Sequence, residues 1–119
     1  DGVSITYDAT KSGGSAQVGL AVTLSAADTI ATAADGEAVL GKLIKVGSDG
    51  VATVQIAGAM VLAAGTGASL TRGKKIVGDL LIAAEGYIRE VNTADVDELG
   101  RQRGMILDAG TTTAVEVFL

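Results

Sequence analysis

The sequence predicts a mainly β protein: a single compact β-barrel or β-sandwich domain with one short helix and a flexible N-terminal arm. Two observations carry this prediction. Runs of alternating or β-branched residues recur along the chain, and 17 glycines interrupt them at short intervals, which is the pattern of strands joined by turns. A helical pattern is convincing only at about residues 93–100.

The first residues form the predicted arm. Val3–Tyr7 alternates with the period of two that is typical of a β-strand, and Asp8–Ser15 is small and polar. Such a composition is typical of a mobile terminus rather than of a core element. We therefore divide the chain into an N-terminal arm, residues 1–15, and a single β-rich domain, residues 16–119.

The region after the arm contains one predicted strand and one ambiguous segment. Val18–Leu24 continues the β-like alternation. In Ala26–Ala34 the alanines favour a helical turn, whereas the β-branched Thr29, Ile30 and Thr32 oppose it. We expect a loop with a short strand here.

A β-hairpin at the centre of the chain is the clearest local prediction. Val39–Val46 and Val51–Ile56 are rich in β-branched residues, and Gly47–Gly50 between them supplies a turn whose last glycine can adopt positive φ. Side chains alternate between the faces of a strand, so Ala52, Val54 and Ile56 are expected to share one face.

Further strands and the single helix complete the domain. Thr93–Leu99 is the predicted helix, with Asn92 or Thr93 as its N-cap, acidic residues in its first turn, and Gly100 or Gly104 at its end. A turn is predicted at residues 108–111. The remaining predicted strands are Met60–Leu62, Ile76–Val77, Tyr87–Val91, Met105–Asp108 and Thr112–Leu119.

The composition limits both the core and the chemistry. With one Phe, two Tyr and no Trp, the core must be built from Val, Ile and Leu, and we expect Tyr87 and Phe118 to be part of it. Cysteine and histidine are absent, which excludes disulfides and most transition-metal sites. Subunit association is then the expected supplement to a thin core, and we predict a homo-oligomer.

Charge and hydropathy exclude two classes of partner. The net charge is −5, whereas nucleic-acid affinity depends on lysines and arginines that neutralise phosphates. No apolar run reaches the ~18 residues that span a bilayer. We therefore predict a soluble chain that binds neither nucleic acid nor membrane. No initiator Met or signal-like segment precedes Asp1, so we expect that something has been removed there.

No catalytic, cofactor-binding or metal-binding residues are predicted. Without His and Cys the common hydrolase arrangements are lost. Residues 67–75 fail as a phosphate loop because the first glycine is one residue too far away and Lys75 replaces the required Ser or Thr. Asp95, Asp97 and Glu98 are explained as acids at a helix N-terminus rather than as cation ligands.

Two further groups of charged residues are candidates for a catalytic site or a binding surface. Asp79, Glu85 and Glu90 lack the features of a paired acid and base, and we assign them no catalytic role. Lys74–Lys75 and Arg101–Arg103 are the basic clusters of the chain. They are either a surface for an acidic partner or ordinary solvated charges.

At residues 35–119 the chain resembles the capsid decoration, or cement, proteins of tailed bacteriophages. The resemblance lies in the segments DGEAVLGKLIKV, SDGVATVQI and LTRGKKIVG, in the strands GYIREV and RGMIL, and in the Thr-rich, Val-alternating C-terminus. These motifs are structural rather than catalytic.

The resemblance implies a non-catalytic structural virion protein without cofactors or small-molecule substrates. Such proteins bind the outer surface of the expanded capsid, often as trimers, and stabilise the shell of the major capsid protein. The chain would be found in the host cytoplasm during assembly and then in the virion. An N-terminal arm commonly contributes to docking in this family, so Val3, Ser4, Ile5, Thr6 and Tyr7 are the candidate capsid-binding residues, able to add a strand to a capsid sheet edge.

Two alternatives remain open. A carbohydrate- or host-surface-binding β module needs an exposed aromatic platform or a metal loop, and three aromatic residues argue against it. A small β subunit of a larger assembly needs functional residues in other chains.

Overall fold

A computed structural model of the protein describes residues 6–7, 18–48, 50–65, 70–81, 84–111 and 114–119. Within these residues the chain forms ten strands and one helix, which confirms the prediction of a mainly β fold. The elements are β1 (Thr6–Tyr7), β2 (Ala21–Ala26), β3 (Thr29–Thr32), β4 (Gly41–Val46), β5 (Ala52–Gln55), β6 (Ala59–Leu62), β7 (Ile76–Leu81), β8 (Ala84–Glu90), α1 (Val96–Arg101), β9 (Met105–Thr111) and β10 (Ala114–Phe118).

The described strands form three sheets. The N-terminal half of the chain builds a five-stranded sheet in the order β1-β3-β2-β4-β5, and the C-terminal half builds a three-stranded sheet, β6-β10-β9, and the two-stranded β7-β8. Strand β1 runs parallel to β3, and the other pairs are antiparallel. Sequential hairpins therefore account for most of the architecture.

Backbone contacts connect the sheets. Isolated bridges pair Ala64 with Ile88 and Ile76 with Arg103, which link β7-β8 to the three-stranded sheet. The five-stranded sheet is joined to β7-β8 by a 2.8 Å hydrogen bond from the Gly86 N–H to the Ala33 carbonyl. The sheets are not closed into a barrel, and a sandwich-like arrangement fits them.

The core consists of small and medium side chains, as the composition predicts. The main cluster fills the space between the sheets, and a smaller one, Val22, Ile30 and Leu43, belongs to the five-stranded sheet. Gly78 shows how closely the layers approach, because a Cβ there would lie 2.3 Å from the Ala34 carbonyl oxygen. The main cluster comprises Ala21, Ala33, Val39, Met60, Leu62, Ala64, Ile76, Ile88, Ile106, Val115 and Val117.

The predicted central hairpin is confirmed as β4 and β5. The Gly50 N–H donates to the Gly47 carbonyl at 2.9 Å, and Gly50 has the expected positive φ of 83°. Ala52 and Val54 pack against the smaller core cluster. Ile56 does not share their burial: it lies beyond the end of β5 and is 51% exposed.

The ambiguous segment after β2 consists of a turn and the short strand β3, which confirms the prediction of a loop with a short strand. Together β2 and β3 form a second hairpin. Strand β2 extends to Ala26, and β3 returns beside it with Leu24 opposite Ile30. Ala27 and Asp28 make the turn, and Asp28 adopts a left-handed φ of 53°. Asp tolerates this conformation, although glycine is the usual signal for it.

The single predicted helix exists, but its boundaries differ. The N-cap is Asp95, whose carboxylate accepts from the Asp97 and Glu98 N–H groups at 3.0 and 3.3 Å. Asn92 instead accepts from the Ala94 N–H within a preceding turn. The helix ends at Arg101, not at a glycine, because Gln102 is extended where the chain leads into the bridge with Ile76.

The prediction of a turn at residues 108–111 was wrong. Strand β9 continues through Thr111, which pairs with Ala114 of β10. Register irregularities between these strands accommodate the extra length. Among the described residues, no helix is long and apolar enough to cross a membrane.

Candidate functional site

The candidate capsid-binding segment lies partly within the described residues. Thr6 and Tyr7 form β1, where Thr6 is opposite Thr29 and Tyr7 is opposite Ile30. Val3, Ser4 and Ile5 lie outside the described residues. In the strand order, β1 is at one end of the five-stranded sheet and β5 is at the other. The arm segment is thus an edge strand on the protein's own sheet.

A cluster of buried charges centres on Arg89 of β8. Its Nη1 and Nη2 donate to the two carboxylate oxygens of Glu98 at 2.8 and 2.6 Å, and its Nε donates to Asp35 Oδ1 at 2.9 Å. Asp79 Oδ1 lies 3.9 Å from the same Nε. Arg89 and Glu98 are 13% and 9% exposed at their side chains, whereas Asp35 is 59% exposed.

The contacts between Arg89 and Glu98 favour the charged forms of both side chains. The hydrogen bond from Arg89 is the main cause that holds the pKa of Glu98 below its ordinary value, and the Asn92 N–H adds to it with a 2.9 Å bond. The pKa of Arg89 is raised, chiefly by the hydrogen bond to Glu98. Both groups are therefore charged at neutral pH.

The Arg89 cluster joins three parts of the fold. Arg89 belongs to β8, Glu98 to α1 and Asp35 to the segment between β3 and β4. Each donor nitrogen of the guanidinium has a hydrogen-bond acceptor. The cluster acts as a structural connection that fixes the helix and this segment against β8.

Arg103 makes a second, partly buried connection. Its guanidinium donates to the carbonyl of Val39 at 3.3 Å and also to the carbonyls of Leu40 and Ile56. Its backbone pairs with Ile76. Arg103 thereby links the start of β9 to the segment that enters β4 and to the segment that leaves β5.

Two of the other acidic residues that the sequence singled out, Asp79 and Glu85, make structural contacts. Glu85 accepts from Thr32 Oγ1 at 3.3 Å, and Asp79 is buried beside Arg89. Glu90 stands opposite Ile76 at the end of β8. Within the part of the chain that the structure describes, no three His, Cys, Asp or Glu side chains form a group that could hold a metal ion.

The residues that resembled a phosphate loop lead into a strand. The Lys74 N–H donates to the Thr71 carbonyl at 3.2 Å, Gly73 has a φ of 90°, and β7 begins at Ile76. A phosphate loop requires a helix at this point. The prediction of an ordinary connecting loop is confirmed for residues 70–75.

The outer face of the three-stranded sheet carries exposed apolar residues. Phe118 is 53% exposed, opposite Met105, which is 47% exposed. The prediction of Phe118 as a core residue was wrong, because the alternation of β10 buries Val115 and Val117 and turns Phe118 outward. Tyr87 is half-buried on β8.

Comparison with protein-family models, with curated proteins and with solved structures gives no match for this chain.

Proposed function

We propose that the chain is a non-catalytic structural protein of a tailed-phage virion, which binds the outer surface of the expanded capsid and stabilises the shell of the major capsid protein. The observation that carries the proposal is the position of Thr6–Tyr7 at an edge of the five-stranded sheet. An edge strand offers backbone N–H and C=O groups to a strand of another protein. The resemblance of residues 35–119 to decoration proteins supports the major capsid protein as that partner.

Docking through β1 does not require the arm to leave its own domain. Strand β1 pairs with β3 along one side, and a capsid strand would pair along the other. The capsid strand would then extend the five-stranded sheet by one strand across the two proteins.

The shortness of β1 supports multivalent binding. A two-residue strand supplies only a few backbone hydrogen bonds, each worth about 0.5–1.5 kcal/mol net. One such contact holds a protein weakly, whereas several linked copies bind by avidity. We therefore propose a homo-oligomer, with a trimer favoured, and neither nucleic acid, membrane nor small-molecule substrate as a partner.

The internal use of the buried charges also supports a structural role. Perturbed, buried charged groups are where catalytic function is first sought. Here the Arg89 guanidinium is engaged by Glu98 and Asp35, and the Arg103 guanidinium by backbone carbonyls. Both arginines hold elements of the fold together.

Co-sedimentation with expanded heads tests the proposal. The chain is mixed with a panel of expanded phage heads stripped of minor proteins, beside Thr6→Pro/Tyr7→Pro, which removes the N–H groups of β1. Thr53→Lys, at an exposed residue on the opposite edge strand, is the control. We expect saturable binding by the parent chain and the control and weaker binding by the proline variant. Absence of binding to every expanded head overturns the proposal.

A second candidate, a carbohydrate- or host-surface-binding module, is favoured by one observation. Phe118 is half-exposed on a flat sheet face, and an exposed aromatic ring is the platform that sugars stack on. A glycan array with the parent chain and Phe118→Ala tests it. Binding that the substitution abolishes would favour this candidate over capsid decoration.

A further inference from the structure

We propose that one corner of the protein, formed by Arg72, Lys74 and Lys75 beside the apolar pair Met105 and Phe118, docks a carboxylate-bearing protein surface. We call this set the basic corner. The inference rests on the proposed function only for the identity of the partner, which would be the outer surface of the capsid shell. It adds a second contact to the one that β1 provides.

The fold places the basic segment at residues 72–75 next to residues that are far away in the sequence. The Gly73 N–H donates to the Ile106 carbonyl and the Ile106 N–H donates to the Lys74 carbonyl, both at 2.8 Å. Arg72 Nε donates to the Leu107 carbonyl at 3.1 Å. The segment before β7 therefore lies directly beside the start of β9.

The charges of the corner are exposed. Arg72, Lys74 and Lys75 form no ion pair with another described residue. They are three of nine basic residues in a chain with 14 acidic ones, so the rest of the chain has six basic residues and a net charge of −8. A concentrated positive surface on an acidic protein is a basis for electrostatic complementarity.

The adjacent apolar pair gives the surface the composition of a protein interface. Met105 and Phe118 lie opposite each other on the outer face of the sheet. Met, aromatic and Arg residues are enriched at protein–protein interfaces, and the rim is polar.

A protein surface fits the corner better than nucleic acid. Duplex nucleic acid is stiff and carries about one negative charge per 1.7 Å, so the negative potential of the remaining chain opposes the phosphates that lie beyond the three charges of the corner. A flexible or local group of carboxylates avoids this repulsion.

Titration with poly-L-glutamate tests the inference without a capsid. Amide chemical shifts are followed at low and moderate salt in the parent chain, in Lys74→Glu/Lys75→Glu and in the charge-matched control Lys42→Glu/Lys45→Glu on β4. We expect shifts at residues 72–75 and 105, affinity reduced about tenfold or more in the corner variant, and less than about a twofold change in the control. Equal effects of the two variants overturn the inference.

Two further measurements separate the possible failures. A duplex DNA oligonucleotide that binds the corner as tightly as poly-L-glutamate at the same salt overturns the choice of a protein partner. If the corner variant no longer forms oligomers in sedimentation experiments, the inference of a separate protein partner is wrong and the corner is an interface between copies of this chain. With expanded heads, absence of parent binding counts against the proposed function, whereas equal binding of parent and corner variant counts against the basic corner.

Discussion

Replacing Arg89 by methionine is predicted to lower the free energy of unfolding by about 3–5 kcal/mol, since removal of one partner from a buried ion pair costs about that much. The guanidinium and the Glu98 carboxylate are 13% and 9% exposed and are joined by hydrogen bonds of 2.8 and 2.6 Å. Methionine retains much of the volume of the arginine stem. It leaves Glu98 and the buried Asp79 without the cation that they share.

Thermal and urea unfolding at neutral pH measure this cost. For a domain of this size 1 kcal/mol corresponds to roughly 4 °C in the midpoint, so we expect Tm to fall by about 12–20 °C. Lys45→Met is the control, because Lys45 is exposed on β4, and its change should stay within about 0.5 kcal/mol.

The pH dependence separates the ionic contribution from packing. The pKa of Glu98 is lowered in the folded protein from its ordinary value of 4.5. The ion pair therefore stabilises the fold fully above that value, and the stabilisation is lost as the pH falls through the folded pKa. We expect the difference between the parent chain and Arg89→Met to narrow below pH 4.5. A difference of constant size at neutral and acidic pH would refute the ionic reasoning and assign the loss to the arginine stem.

Four more predictions concern the fold and its association. Gly100→Ala should raise stability by about 0.5–1 kcal/mol, because Gly100 is inside α1 with open space at its Cβ position. Gly78→Ala should lower stability by about 1–3 kcal/mol, because its Cβ would lie 2.3 Å from the Ala34 carbonyl oxygen. Circular-dichroism melts in which Gly78→Ala is as stable as Gly100→Ala, or more stable, contradict this packing. Arg103→Met should lower the free energy of unfolding, measured with urea, by about 2–3 kcal/mol, since three carbonyls lose a charged donor. An unchanged unfolding midpoint would mean that these hydrogen bonds make no net contribution to stability. If subunit association supplements the thin core, Tm should rise with protein concentration, and a constant Tm would argue for a self-sufficient monomer.

Local patterns were sufficient to predict most strands. The hairpin at residues 39–56 could be predicted because β-branched residues flank a turn with glycine at its positive-φ position. The β2-β3 hairpin could not, because Asp28 takes the left-handed conformation without a glycine to signal it. Element boundaries depended on contacts that are remote in the sequence, such as the bridge between Ile76 and Arg103 that follows the helix.

The buried charge cluster was not predictable in the same way. Arg89 and Glu98 are nine positions apart, and Asp35 is 54 positions before Arg89. Their contact depends on how α1 and the β3-β4 segment fold back on β8. Only the acids at the helix N-terminus carried a local signal, and it explains Asp95 and Asp97 but not the burial of Glu98. The outward position of Phe118 could have been predicted from the alternation of Val115, Val117 and Phe118, had the scarcity of aromatic residues not favoured the core.

The most direct test of the central claim is the heat stability of expanded phage heads, stripped of minor proteins and measured by calorimetry with and without saturating amounts of the chain. The account predicts a disruption temperature that is higher in the presence of the chain and that rises with the concentration of free chain. A ligand that binds only the intact shell must stabilise it in this way. Heads that bind the chain to saturation and disrupt at an unchanged temperature would contradict a stabilising role.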